Sequence, residues 1–253
     1  MATVRHAPSG GLNVRSTPAG DKVTTLNAGD LMYDIVGVAS VTKAMGTTTY
    51  VWIKVHYYKT ENNSVTEGDG WVTQVNTTAI SKTVPTKSDT FCSNSYLKQH
   101  EMLVNARYIY KYLKDKGWTS NAIYAVLGNM EAESKINPGV WCDLDSSDPQ
   151  KAYGLVQWCP STKLTNWLNG KSKSDIDNQL SRIVYESEHE EQWDSSLHSP
   201  AMSFADFIAS TKTCAVLAEY FLRCYEHPGS EDSKVKTRQN NANKWKTLIG
   251  YLV

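Results

Sequence analysis

The chain has 253 residues, of which 40% are hydrophobic and 10% aromatic, and this composition is typical of folded cores and excludes a disordered chain. Its 26 basic and 26 acidic residues cancel, so it lacks the basic excess with which nucleic-acid-binding proteins contact phosphates. Because no apolar run of a signal peptide and no stretch of 18 apolar residues occurs, we expect neither a secretion signal nor insertion into a membrane.

The cysteines indicate neither a metal centre nor a settled disulfide framework. There are five, an odd number, and they form no C-x-x-C pair and no Cys/His spacing of a zinc site. Cys142 and Cys159 could pair if the loop between them folds back, although five reduced thiols are the simpler expectation. We therefore expect no metal and no cofactor.

The first 80 residues predict a small β domain. Short segments rich in Thr and Val alternate with turn signals made of Gly, Asn and Asp, which indicates a small barrel. The predicted strands cover residues 12–15, 23–26, 31–36, 50–56 and 71–75, with longer loops at 39–49 and 58–69.

The rest of the chain predicts a mainly α-helical domain. Residues 81–91 mix Ser, Thr, Lys and Pro without periodicity and are the predicted linker, and beyond them the apolar period changes to that of helices. The predicted helices cover residues 96–116, 120–134, 174–188, 204–210, 213–226 and 231–252, with Ser120 and Ser174 as N-caps. The predicted fold class is therefore multidomain, with an all-β barrel at 1–80 and a mainly α domain at 92–253.

The segment that carries most chemical information runs from Leu127 to Trp141. A helix there reaches two glutamates and then ends at an Asn-Pro-Gly turn. A carboxyl group in such apolar surroundings has a raised pKa, because burial disfavours its charged form, and it can then protonate a glycosidic oxygen. The helical period places Glu131 and Glu133 about 200° apart around the helix. They cannot face each other, and periodicity does not choose between them.

Three separated motifs resemble the phage tail-type lysozyme family, within the goose-type lysozyme and lytic transglycosylase superfamily. They are G-N-M-x-x-E-S-x-I-N-P-G-x-W at residues 128–141, Y-G-L-V-Q-W at 153–158 and F-L-R-x-Y-E-x-P-G at 221–229. The resemblance implies a lysozyme-like fold over residues 92–252. It also places the general acid on Glu133, because the glutamate followed by Ser is the one that matches, and it leaves Glu131 as a solvated charge at the helix end.

The same resemblance implies a sugar groove near the three motifs. The candidate substrate-binding residues are Tyr153, Gln157, Trp158, Trp141, Asn137, Tyr225 and Glu226. Plainer alternatives stay open, namely core packing for the Trp rings, a turn for Asn137, and an ion pair with Arg238 for Glu226.

The second carboxylate that hydrolysis requires is not identified by any motif. Asp143, Asp145 and Asp148, in the loop between the first two motifs, are the candidates. Without such a partner the substrate's own C6 hydroxyl could attack, as in lytic transglycosylases, with Glu133 as both acid and base.

The N-terminal half resembles bacterial SH3-like domains. The matching segments are L-N-V-R-S at residues 12–16, A-G-D at 28–30, W-I-K-V at 52–55 and G-W-V at 70–72. The resemblance implies that this domain binds the cell wall. Trp52, Tyr57, Tyr58 and Trp71 could line a groove, although core packing is the expected role of the two Trp.

Together these patterns predict a peptidoglycan hydrolase that cleaves the β-1,4 bond between N-acetylmuramic acid and N-acetylglucosamine. The alternatives are a lytic transglycosylase giving 1,6-anhydro products, a catalytically dead wall-binding or adhesion protein, and a cysteine peptidase. The peptidase is disfavoured because no Cys or His lies in the expected sequence context. The expected partner is bacterial peptidoglycan, and we expect a monomer, or a chain attached to a phage tail. It would reach the wall as a virion component or as an endolysin after holin-type release.

Overall fold

The structure, a computed structural model, describes residues 2–62, 64–227 and 232–253. It divides into two compact units. One comprises Met1–Thr83 with Lys98–Glu101 and Gly250–Val253, and the other Val84–Leu97 with Met102–Ile249. Strands occupy residues 4–79 and the α-helices begin at residue 99, which confirms the predicted fold class of a β region followed by a mainly α domain.

The first unit is built around one antiparallel sheet. Its strands are β1 (Val4–His6), β2 (Leu12–Arg15), β3 (Lys22–Leu26), β4 (Leu31–Asp34), β5 (Val41–Met45), β6 (Thr48–Glu61), β7 (Ser64–Thr73) and β8 (Thr78–Ala79). Their order in the sheet is β3-β2-β7-β6-β4-β1-β8, with β5 paired to β6. Alternate residues of these strands point inward, as the pleat requires, and form the core of this unit. They include Leu12, Val14, Leu26, Met32, Ile53, Val55 and Val72.

Strands β6 and β7 form a longer hairpin than the sequence predicts. Their register runs from Trp52 opposite Thr73 to Glu61 opposite Ser64. The loop predicted at 58–69 is therefore wrong, and so is the loop predicted at 39–49, which contains β5. Both segments are largely polar and exposed, so they lack the hydrophobic alternation that marks a half-buried strand.

The helices are close to the predicted positions, with small shifts at their ends. They are α1 (Gln99–Asp115), α2 (Ser120–Ser134), α3 (Thr162–Leu168), α4 (Ile176–His189), α5 (Phe204–Ala209), α6 (Cys214–Phe221) and α7 (Asp232–Gly250). A π-helical turn, Leu222–Glu226, continues α6, and α3 was not predicted. The predicted N-caps are wrong by one residue, since Thr119 caps α2 and Asp175 caps α4. The predicted turn at 228–229 and the predicted start of the last helix at 231 lie outside the described residues.

Helix α2 is the buried central helix of the second unit. All of its residues from Ala122 to Glu131 are buried, and Asn129 donates a hydrogen bond of 3.1 Å to Ala218 O in α6. Gly128 lies directly against the backbone of α7, because a Cβ built on it would be only 2.6 Å from Arg238 O. The missing side chain therefore permits the close contact that brings charged residues of α7 to the end of α2.

Candidate active site

Helix α2 ends at Ser134, one residue after Glu133, and an uncommon backbone turn follows it. Lys135 has a φ of 56° and Ile136 a φ of 51°, both in the left-handed region, where a β-branched residue is strained. Ser134 stabilises this turn, because its buried hydroxyl donates a 2.8 Å hydrogen bond to Leu155 O. The serine of the Glu-Ser pair thus connects the helix end to the Gly-Leu-Val-Gln segment, a role that the sequence analysis did not assign.

The two glutamates of α2 bind different cations of α7. Glu131 is 2% exposed, and its Oε1 accepts a hydrogen bond from the buried Lys244. The side chain of Glu133 is 24% exposed, and its Oε1 accepts from Nη2 of Arg238. The expectation that Glu131 is a solvated charge is therefore wrong. Of the two glutamates, Glu133 is the one that a substrate can reach.

A third carboxyl group, that of Glu226, interacts with the Glu133–Arg238 pair. Burial raises the pKa of Glu226 well above its ordinary value, the charge of Glu133 raises it further, and the charge of Arg238 lowers it. Its Oε1 is buried with no hydrogen-bond partner among the described residues, and so is Nε of Arg238. Glu226 therefore experiences opposite charges from α2 and α7, and among the described residues it and Arg238 each keep one atom without a hydrogen-bond partner.

Glu186 of α4 supports the walls of this site. It accepts hydrogen bonds from Tyr225 Oη (2.5 Å), Arg182 Nε (2.8 Å) and Trp158 Nε1 (3.0 Å). Burial raises the pKa of Glu186, and these donors partly offset the effect. The sequence analysis missed this residue, although its position three residues after the buried Ile183 on an amphipathic helix was an available signal.

Four sequence-predicted candidates line one pocket of about 230 Å³. Its lining consists of Val156, Gln157, Trp158, Cys159, Lys163, Gln192, Tyr225, Glu226 and His227. Gln157 has a left-handed φ of 52°, and its side-chain amide donates to the carbonyls of Gly154 (3.0 Å) and Val140 (3.3 Å). The pocket thus brings the second and third sequence motifs together around Glu226.

The other three substrate-binding candidates contact neighbouring parts of the protein and do not line that pocket. They are Trp141, Tyr153 and Asn137. The rings of Trp141 and Tyr153 meet edge to face at 4.8 Å, and Nζ of Lys173 lies 4.1 Å from the Trp141 ring. Burial raises the pKa of Tyr153 to about 12. The side chain of Asn137 is fully buried and donates to the carbonyls of Ser93 and Ser95, both at 2.7 Å. These contacts give each of the three residues a structural role, and their role as sugar contacts stays a prediction.

The three loop aspartates are bound within their own loop. Asp145 and Asp143 lie 3.0 and 3.6 Å from Nζ of Lys151, and Asp148 accepts from the Gln150 backbone at 2.8 Å. Hydrogen bonds from Ser147 lower the pKa of Asp145. Over the part of the chain that the structure describes, none of their hydrogen bonds or ion pairs joins Glu133.

Among the residues that the structure describes, neither the cysteines nor the other metal-ligating residue types form a further centre. Cys142 and Cys159 are both free thiols. In the described ranges, no group of three or more His, Cys, Asp and Glu side chains is placed to hold a metal ion. Within the same ranges no helix is long and apolar enough to cross a membrane.

The model of the phage tail lysozyme family matches residues 104–249, which is more than half of the chain and includes Glu133, Glu226 and Arg238. The chain belongs to the phage tail lysozyme family. Membership supports a peptidoglycan-lytic role in general, and the β unit lies outside the family match.

The chain is also similar to Morphogenesis protein 1 of Bacillus phage B103, with 44% identity over 163 residues. The aligned region makes up 63% of this chain and 43% of that relative, so the chain spans less than half of the relative's length.

Proposed function

We propose that this member of the phage tail lysozyme family cleaves the β-1,4 bond between N-acetylmuramic acid and N-acetylglucosamine, with Glu133 as the general acid. The observation that carries the residue assignment is the contrast within α2. Glu131 is enclosed in an ion pair with Lys244, whereas Glu133 is partly exposed beside Arg238. The match of Glu133 to the Glu-Ser motif supports the same choice.

In this mechanism Glu133 delivers a proton to the oxygen of the departing N-acetylglucosamine while the bond to C1 of the muramic acid breaks. Positive charge develops at C1, and the carboxylates of the site stabilise it electrostatically. Attack by water gives a reducing muramic end, whereas attack by the C6 hydroxyl of the same sugar gives a 1,6-anhydro end.

Mass spectrometry of digested cell walls tests this function directly. We expect reducing muramic ends from the wild type, while 1,6-anhydro ends would favour the transglycosylase alternative and free peptide termini alone would contradict glycan cleavage. Glu133→Gln should lower the rate roughly 10²–10⁴-fold, because it removes the transferable proton. Glu188→Gln, at an exposed position on α4, is the matched control and should retain full activity.

We further propose that the β unit holds the enzyme on the wall. Its support, besides the SH3-like motifs, is a pocket of about 310 Å³. The lining includes Asn13, Arg15, Met45, Trp52, Thr73 and Asn76. Trp52, Tyr57 and Tyr58 are themselves buried, and of the four aromatic residues proposed for a groove only Trp52 lines this pocket.

Replacing Arg15 by Ala tests the role of that pocket in the full-length chain. We expect weaker co-sedimentation with purified walls and unchanged cleavage of soluble muropeptides. Lys22→Ala removes the same charge from an exposed position outside the pocket and should bind walls normally. If both variants bound walls equally well, the pocket would have no part in wall binding.

We also propose that the protein acts as a component of the virion. The phage tail lysozyme family and the name of the morphogenesis relative support this placement over release as a free endolysin. Peptide mass spectrometry of purified virions should detect the chain, and its absence there, with abundance in the lysate, would favour the endolysin role.

A further inference from the structure

We propose that the rings of Trp167, Tyr185 and His189 form a second glycan-binding surface on the second unit. This surface, the α3–α4 aromatic face, holds N-acetyl sugars of a strand whose neighbouring sugars occupy the pocket lined by Gln157 and Trp158. The ligand is the glycan that the enzyme cleaves, so this inference rests on the proposed function. None of the three ring-bearing residues lies in one of the three motifs or in the lining of that pocket.

Trp167 differs from the other tryptophans of the second unit in its exposure. The other five are at most 8% exposed, whereas Trp167 is only partly buried. The core contacts of α3 are made by Leu164 and Leu168, which are 0% and 2% exposed. Because α3 is already anchored by these two side chains, a large aromatic ring left at its surface favours a binding role.

The three rings lie in a row that runs from α3 to the last turn of α4. The ring centroids of Trp167 and Tyr185 are 5.5 Å apart, and those of Tyr185 and His189 are 3.9 Å apart. Nδ1 of His189 also lies 2.8 Å from Tyr185 O, so the outer ring is held in place. Such a surface matches the apolar face of a pyranose, while the polar edges of Trp and Tyr rings can bond its hydroxyl groups.

Arg182 fixes the inner part of this row. Its guanidinium carbon lies 5.4 Å from the ring centroid of Trp167 and 5.5 Å from that of Tyr185. Two carboxylates hold the guanidinium there, those of Glu186 at 2.8 Å and Glu191 at 2.7 Å. Rings that are already fixed lose little conformational freedom when a ligand binds. Since both carboxylates offset the charge of Arg182, the face suits apolar contact with a sugar better than ion pairing with an anion.

The aromatic face is continuous with the pocket through both helices. On α3, Lys163 lines the pocket, and Trp167 follows it by one turn on the same side of the helix. On α4, Glu186 is adjacent to Tyr185 and accepts a 3.0 Å hydrogen bond from Nε1 of Trp158 in the pocket lining. A strand that fills the pocket can therefore extend its next sugars onto the aromatic face.

The dependence of cleavage on strand length tests this surface. Chromatography of the products compares long, soluble, peptide-free glycan strands with a tetrasaccharide, which has too few sugars to bind the active site and the aromatic face together. We expect Trp167→Ala to raise KM for long strands about tenfold, because it removes apolar area on which a sugar packs. Its kcat, and both constants for the tetrasaccharide, should stay unchanged. Trp167→Phe keeps a ring and should restore most of the affinity.

Tyr96→Ala is the matched control, since it removes an exposed ring from another part of the second unit and should behave as wild type. If the wild type cleaves glycan but Trp167→Ala has an unchanged KM for long strands, or loses the same factor on both substrates, the aromatic face is refuted. If the wild type cleaves neither substrate, the proposed function fails, and a binding measurement decides the fate of the face.

That measurement is fluorine NMR of the full-length wild type labelled with 5-fluorotryptophan, and it also decides if Trp167→Ala does not fold. The Trp167 signal is identified by its absence from labelled Trp167→Phe. It should shift when β-1,4-linked N-acetylglucosamine oligomers are added, and an unmoved signal would overturn the proposal.

Discussion

Replacing Gly128 by Ala tests whether the contact between α2 and α7 positions the acid. The added methyl group would lie 2.6 Å from Arg238 O and 2.7 Å from the Ala242 backbone nitrogen. These separations are roughly 1 Å inside the distance at which non-bonded atoms attract each other. Because both neighbours are backbone atoms of one helix, no single side chain can rotate away, and α7 must move as a unit.

Such overpacking typically costs about 1–3 kcal/mol, and the better helix propensity of Ala returns up to about 1 kcal/mol. We therefore expect a net loss of about 1–2 kcal/mol, or a fall in Tm of roughly 2–8 °C by differential scanning calorimetry. Glycan cleavage should fall as well, because Arg238 moves relative to Glu133. Gly250→Ala is the control, since nothing lies within 4 Å of the added Cβ there. A Gly128→Ala enzyme with wild-type Tm and wild-type cleavage would refute the reasoning.

Three further predictions concern side chains around the same helix end. Ser134→Ala leaves the buried Leu155 carbonyl without its hydroxyl donor and should cost about 1–3 kcal/mol in chemical denaturation; an unchanged denaturation midpoint would contradict the role of that bond. Glu131→Gln breaks a buried ion pair and should lower the free energy of unfolding by about 3–5 kcal/mol, while the folded protein still cleaves glycan. Glu133→Gln should have the reverse effect. If Glu131→Gln lost cleavage without losing stability, Glu131 would be the general acid. Burial raises the pKa of Glu226 and Glu186 above 4.5, so their contribution to stability is complete below that pH and is lost as pH rises through the raised values. The Tm of Glu226→Gln measured from pH 4 to 8 should therefore gain on the wild type as pH rises, and a constant difference would count against the raised pKa.

The sequence predicts well the features that follow from local periodicity. The order of a β region and a helical domain is confirmed, and most helices begin and end within a few residues of their predicted bounds. The long β6–β7 hairpin was missed because its outer half has no buried face. The burial of Glu131 was missed for a different reason, since its partner Lys244 is 113 residues away along the chain and nothing in the local pattern indicates that pairing.

In the candidate site, too, the sequence predicts what depends on neighbouring residues and misses contacts between residues that are far apart along the chain. The motif around Glu133 could be read from one helix and the turn that follows it. The cation that binds its carboxyl group could not, because Arg238 is 105 residues away along the chain. The helix motif therefore locates Glu133, while the contact that holds its carboxyl group comes from α7, which lies outside all three motifs.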